Sequence, residues 1–453
     1  MREQRGSSRR DFLRGSATAV AGAALAAQWN VARMAHAAGN DRIKVALIGC
    51  GGRGNGAVHD CMTADPAVLV VAVADAFEPK AQAAAARLRK QGPAQVDLPD
   101  ERIFAGLDAY QKAIAAGVDM VILATPPGFR PLMYAAAVAA GKHVFMEKPC
   151  CVDAAGYRTL MEANQQAQQK GLRVGVGFQR RHSPDYIETI GKIHEGAIGR
   201  LTLLRAYWNG AGIWVRRRQP DMTELQYQVN NWYHFCWLCG DNICEQHIHN
   251  LDVCNWVFDK EGDPKKAHPV EANGMGACVR RYAGDNKGVG QIFDEHFVEF
   301  TYADGTKMYS QCRHIPNTWG SVSEHAHGTK GDSNCHGVID GETPWKFAGG
   351  GRGVGSMVQE HKDLIQAIRN GQNYCEGWQG ASSSMTAVLG RMATYSGQIV
   401  RWDDAVAKGK SEFPLWQPQG GYPAKLTWDT PSTVVQDADG NYPIPVPGIY
   451  KPW

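Results

Sequence analysis

The sequence predicts an α/β protein: a doubly wound parallel sheet, followed by a second domain of different texture. Three observations carry this. Between Lys44 and about Val176, short apolar runs alternate with Ala-rich helical stretches. That is the pattern of a parallel sheet covered on both faces. A Gly-rich turn directly follows the first of those runs. After about residue 181 the alternation stops and aromatic residues become dense, as in NNWYHFCWLCGDN.

Residues 1–37 are set apart from the fold. Arg9 and Arg10 in SSRRDFLRGS precede a weakly apolar Ala/Gly-rich run that ends near Ala35-His36-Ala37. That ending fits the small-x-small site of signal peptidase. The segment resembles a twin-arginine export signal, which carries proteins across a bacterial membrane already folded. The run has few Leu, Ile or Phe. It lacks the apolarity that a stable anchor of about 20 residues needs. The expected partner is the twin-arginine export machinery, and the expected location is periplasmic or otherwise exported.

Residues 41–180 form the expected first domain. Its strand-like runs are 44–49, 68–75, 118–126, 142–149 and 172–178, with helices KAQAAAARLRK and PLMYAAAVAAG between them. Gly49-Cys50-Gly51-Gly52-Arg53-Gly54 is a G-x-G-x-x-G that follows a strand and opens a helix. Gly49 permits the tight turn, Gly51 lets the backbone approach a pyrophosphate, and Gly54 lets the helix pack close to the strand. One strand-helix-strand unit later Asp75 ends a strand, where a carboxylate binds the adenosine ribose hydroxyls. This is a Rossmann domain for a dinucleotide. Asp75 favours NAD, since a carboxylate repels a 2′-phosphate and no arginine follows it closely; Arg53 leaves NADP open.

Residues 181–407 form the expected second domain. QIFDEHFVEFTY-ADG-TKMYSQCRHI reads as a hairpin turning at Asp304-Gly305. VQEHKDLIQAIRNG and ASSSMTAVLGRMATYSGQIV read as helices, and residues 408–453 as a Pro/Gly-rich tail that wraps the surface. No internal repeat is present. Net charge is +3, from 48 basic and 45 acidic residues, too mild to suggest nucleic acid. Hydrophobic residues at 44% and charged residues at 21% fit a globular enzyme. The 12 cysteines show no zinc-ribbon spacing and read mostly as small buried apolar residues.

Taken with ATPP (124–127), MEKP (146–149), RRHSP (180–184) and EQHIHNLD (245–252), the G-x-G-x-x-G makes the sequence resemble the glucose–fructose oxidoreductase / inositol dehydrogenase / MocA (Gfo/Idh/MocA) family. The resemblance implies a Rossmann domain followed by an α/β domain with an open, mainly antiparallel sheet. One face of that sheet would carry the substrate site and the other a subunit interface, hence a homo-oligomer. It also implies oxidation of a secondary alcohol on a sugar or cyclitol. The expected cofactor-binding residues are Gly49, Gly51, Gly52, Arg53, Gly54, Asp75, Thr125, Pro126, Glu147 and Lys148.

Lys148 lies at the carboxyl end of a parallel strand, where such sheets bind ligands. By resemblance it contacts the reacting hydroxyl. On one continuous helix Glu245, His249 and Asp252 share a face, at spacings of four and three, while His247 points away. Glu245, with Asp252, would then orient His249 for proton transfer near neutral pH. The family commonly has Asp four before this histidine and Gly two before it, where this chain has Glu245 and His247. Arg180, Arg181, Trp232, Tyr233 and His247 are the expected substrate-binding residues. Expected catalytic residues are Lys148, His249, Glu245 and Asp252, and no metal is expected.

An exported nicotinamide domain must be loaded before export and must keep its cofactor, which explains a signal for folded cargo. Each hydride taken must then be returned. The leading expectation is an exported NAD(P)-dependent oxidoreductase with tightly held cofactor, acting on a sugar, cyclitol or glycoside. The alternative is a redox-neutral NAD-dependent glycoside hydrolase or lyase that works through a transient keto-sugar. Ranked below both is a metal-assisted sugar enzyme using Glu245, His247, His249, His296, His314, His325 and His327.

Overall fold

The computed structural model describes residues 42–349, 354–413, 426–432 and 434–453. The expected export signal, residues 1–37, lies outside them. Among the described residues two sheets are formed, one from each part of the chain.

The first sheet has six parallel strands: β1 (Ile43–Ile48), β2 (Val68–Asp75), β3 (Ile103–Ala105), β4 (Met120–Leu123), β5 (His143–Met146) and β6 (Val174–Val176). Their order is β3-β2-β1-β4-β5-β6, the doubly wound arrangement that the alternating pattern predicts. Its central strands are buried along nearly their whole length, which is why they read as unbroken apolar runs. Sequence reasoning misses β3, which pairs with the end of β2. At three residues it is too short to show a period.

The second sheet has nine strands: β7 (Leu201–Gly210), β8 (Glu271–Ala277), β9 (Glu295–Thr301), β10 (Lys307–His314), β11 (Ser321–Gly328), β12 (Gly331–Ser333), β13 (Val338–Gly341), β14 (Trp345–Lys346) and β15 (Val400–Arg401). All its pairings are antiparallel except β7 with β10. The hairpin of β9 and β10 turns at Asp304-Gly305, with Gly305 at φ +86°.

Alternation along these strands sends Leu204, Ala206, Val298, Phe300 and Met308 inward. They meet helices Ile248–Phe258 and Gly377–Ser396. Helix Gly377–Ser396 is buried on nearly every side because it also packs on helix Ala154–Gln169 of the first domain. The other face is open: Met275 is 73% and Phe297 37% exposed. All twelve cysteines are free thiols, and all but Cys278 and Cys375 are buried. In the described part of the tail, Trp428 stacks on Phe77 at 5.1 Å, and Tyr442 donates its hydroxyl to Glu224.

Candidate active site

The Gly-rich turn behaves as its spacing requires. Gly49 has φ +99°, and a Cβ there would lie 2.5 Å from the Ala124 carbonyl carbon. A Cβ on Gly54 would lie 1.8 Å from the Gly49 oxygen, so only glycine lets the helix approach the strand this closely. Gly51 and Gly52 face open space. Helix Gly52–Ala64 starts there with no side-chain cap and no acidic residue in its first turn. Its free N–H groups are thus left for an anion. Asp75 is fixed by two backbone donors, Cys50 N–H at 2.8 Å and Phe77 N–H at 2.9 Å.

A cavity of about 330 Å³ opens between these groups. Gly49, Gly51, Gly52, Arg53, Asp75, Thr125 and Pro126 line it from the first domain, and Trp214, Arg216 and Trp232 from the second. The open cradle, the uncapped helix terminus and the anchored carboxylate fit a dinucleotide. Gly54 acts in packing, away from the lining. Glu147 also falls off the lining. It is buried, packs where a Cβ on Gly177 would sit 2.5 Å from its Oε2, and pairs with Arg53 Nε at 2.8 Å. Burial pushes its carboxyl pKa up, against the pull of Arg53 and Lys148.

Lys148 projects past the end of β5, and its peptide bond to Pro149 is cis. Its Nζ donates to the Glu245 carbonyl at 2.6 Å and to Glu245 Oε1 at 3.1 Å. The loop is held from both sides. Buried Arg130 donates to the carbonyls of Pro149, at 2.6 Å, and Thr125. Ser384 Oγ accepts the Cys150 N–H at 2.9 Å.

The single helix expected through EQHIHNLD is interrupted. A short helix ends at Glu245, and the next starts at Ile248. Glu245 bonds Lys148 and makes no hydrogen bond to His249. His249 lies between Phe178, edge-on at 6.3 Å, and Trp208, stacked at 6.0 Å. Its Nδ1 and Glu245 Oε2 are buried without a hydrogen-bond partner. Burial, then the charges of Lys148 and Arg180, push the His249 pKa well below its ordinary value, so its ring is neutral at pH 7. If His249 is the base, the acid limb of kcat/KM falls clearly below pH 6.5, because only there does the ring take up a proton. A pH–rate profile checks this; a limb at or above 6.5 contradicts it.

Four further expectations are corrected. Asp252 makes no hydrogen bond to His249: it accepts Arg181 Nε at 2.8 Å, Arg181 Nη2 at 2.9 Å and Ser383 Oγ at 2.7 Å. Arg180 and Arg181 are not free for substrate, since Arg180 pairs with buried Glu324 and Arg181 with Asp252. Tyr233 is buried, with its hydroxyl on His314 Nε2 at 3.2 Å. His247 is fully buried against Ser310 Oγ at 2.8 Å, turned into the second sheet. Each is a polar group that found an internal partner, which spacing alone does not reveal. Trp232 lines the dinucleotide cavity; Lys148, Glu245 and His249 do not.

Sequence reasoning missed Arg130, Lys80 and Arg216. The last two line the cavity beside Trp214, and Arg130 ties its turn to the Lys148 loop. Only Lys80, one helical turn into the helix after Asp75, had a local signal. Among the described residues no group of three or more His, Cys, Asp or Glu side chains is placed to hold a metal ion. No helix among them is long and apolar enough to cross a membrane.

Residues 43–178 match the model of the GFO_IDH_MocA family, described as an oxidoreductase family with an NAD-binding Rossmann fold. The inositol 2-dehydrogenase of Acidothermus cellulolyticus is 28% identical over 219 residues, 48% of this chain and 54% of that protein. The chain therefore spans about half the length of the curated relatives it matches. The aldose-aldose oxidoreductase of Caulobacter crescentus, solved with glycerol, has a TM-score of 0.60 at 16% identity, covering 80% of this chain and 99% of that one. Levoglucosan dehydrogenase, solved with NADH and levoglucosan, gives 0.59 at 18%, covering 80% and 99%. At these identities the two structures establish the shared fold.

Proposed function

We propose, for a chain whose residues 43–178 match the model of the Gfo/Idh/MocA oxidoreductase family, that the protein is an NAD(P)-dependent oxidoreductase acting on a secondary alcohol of a sugar, cyclitol or glycoside. One observation carries the reading. At the carboxyl end of β5, Lys148 is pinned on Glu245, while Glu245 Oε2 and His249 Nδ1 stay buried and unpartnered. Buried polar atoms left open beside a cation suit a ligand rich in hydroxyls.

A nicotinamide held by the Gly49–Gly52 turn and Asp75 would supply the hydride acceptor for the carbinol carbon. The protein's own task is the proton on the hydroxyl. Lys148 donates to the substrate oxygen and stabilises its developing negative charge. Neutral His249 takes the proton, and Trp208 and Phe178 fix its ring. Glu245 holds the Lys148 ammonium in place. Arg130 and Ser384 set the loop that carries it.

Export through the twin-arginine route and retention of the cofactor belong to the same reading. Trp214 and Trp232 of the second domain close over a cleft built by the first, which supports slow release. The open sheet face with Met275 and Phe297 supports a homo-oligomer. Mass spectrometry of the supernatant from denatured protein is expected to find a nicotinamide dinucleotide, and polyols or aldoses are expected to raise absorbance at the NADH band. A protein that neither contains nor takes up a dinucleotide overturns the reading. Fractionation is expected to place the wild-type chain outside the cytosol and the Arg9→Lys/Arg10→Lys variant inside; equal export of both refutes the route.

A further inference from the structure

We infer that Lys80 and Arg216 together form a seat for the 2′-phosphate of a phosphorylated dinucleotide, so that the cleft accepts NADP despite the carboxylate of Asp75. The inference rests on the cofactor reading above and goes on to specify which dinucleotide the cleft recognises.

Both cations line the cavity at its Asp75 end. They come from opposite sides of the molecule, Lys80 from helix Glu78–Gln91 and Arg216 from the segment that follows β7. Each rests on an aromatic face: Lys80 Nζ lies 4.5 Å from the centre of the Phe77 ring, and the Arg216 guanidinium 4.5 Å from that of Trp214. Arg216 also spends one N–H on the Asn230 carbonyl at 3.1 Å. Neither cation has a carboxylate within ion-pair distance among the described residues.

The two cations also oppose each other. Burial pushes the Lys80 pKa down, the charge of Arg216 pushes it further down, and Asp75 pulls it back. Asp75 offsets part of this repulsion, and an anion placed between the two cations relieves the rest. Asp75 is a weaker deterrent than its position in the sequence implies. Each of its oxygens already accepts a backbone N–H, and it stands against two cations. The second lone pair on each oxygen remains for ribose hydroxyls, so NAD is not shut out. Arg53, the cation nearest in sequence to the Gly-rich turn, cannot serve as this seat because Asp60 and Glu147 hold its guanidinium. The phosphate-binding group is therefore split between domains, and a scan of the residues after Asp75 cannot find it.

The test uses the whole purified chain, freed of resident dinucleotide by charcoal, with NADH and NADPH titrated by fluorescence. The wild type is expected to bind both. Lys80→Gln and Arg216→Gln are each expected to weaken NADPH by about tenfold, the loss of one charge-assisted contact, with NADH changed by less than about threefold. Retained NADH affinity also shows that the variants are folded. A wild type that binds NADH but not NADPH overturns the inference and leaves the cofactor reading standing. Equal weakening of both nucleotides overturns it as well, by moving the cations to the pyrophosphate. Binding of neither nucleotide by the wild type overturns both readings.

Discussion

Lys148→Met is expected to lower kcat by about a thousandfold, the upper end of the range for loss of one donor to a developing oxyanion, while dinucleotide affinity stays within about threefold. Methionine keeps the length and apolar stem of the side chain and removes its charge and three donors. The two bonds to Glu245 are lost, so the reacting oxygen loses its electrostatic partner. The Gly49–Gly54 cradle and Asp75 lie on other loops, and Lys148 does not line the cavity they build. Binding and chemistry therefore separate. Single-turnover rates and NADH fluorescence titration measure the two effects. Lys148→Arg keeps the charge but spreads it over a planar fork that does not reproduce the point donor bonded twice to Glu245, so it rescues little. Wild-type turnover in Lys148→Met refutes the assigned role.

The sequence disclosed most clearly whatever depends on local pattern. Strands β1, β2, β4, β5 and β6, the turn at Asp304-Gly305 and the glycines of the cradle are each set by a short stretch with a period or a steric demand. Gly49 and Gly54 illustrate this: each is required by a contact of less than 3 Å that any Cβ would make. What stayed hidden depends on where one segment stops or on what lies across the chain. The EQHIHNLD helix breaks after Glu245, and the carboxylate expected on His249 pairs with Lys148, a residue 97 positions away. Arg180, Arg181, Tyr233 and His247 all have the chemistry of substrate ligands, yet each is spent on an internal bond to a distant residue. Arg216 is the converse, a cation in an RRR run that reads as a solvated loop but is delivered to the dinucleotide cleft by the second domain. Polar residue types narrow the candidates for a site, and only the packing decides which of them keep a free atom.

Asp252 provides the second large effect, and here the expected damage is to stability. Its side chain is 1% exposed and accepts both a forked pair of bonds from Arg181 and one from Ser383. These bonds join the turn after β6, helix Ile248–Phe258 and helix Gly377–Ser396, the point where the two domains lock. Asp252→Ala leaves the Arg181 guanidinium nearly buried against the face of Trp256 at 5.0 Å, without its forked carboxylate partner. Breaking a buried pair from one side costs about 3–5 kcal/mol. The urea midpoint is expected to fall accordingly. Removing both charges, as Arg181→Met/Asp252→Leu, is expected to recover much of that loss, because no buried charge is then stranded. Asp252→Asn should fall between, since its single oxygen can still accept one of the Arg181 bonds. His249 sits one turn earlier on the same helix, so any kcat loss in these variants should track the stability loss. If Asp252→Ala kept the wild-type midpoint and still lost turnover, the carboxylate would belong to the chemistry after all, and the order of roles along EQHIHNLD would have to be redrawn.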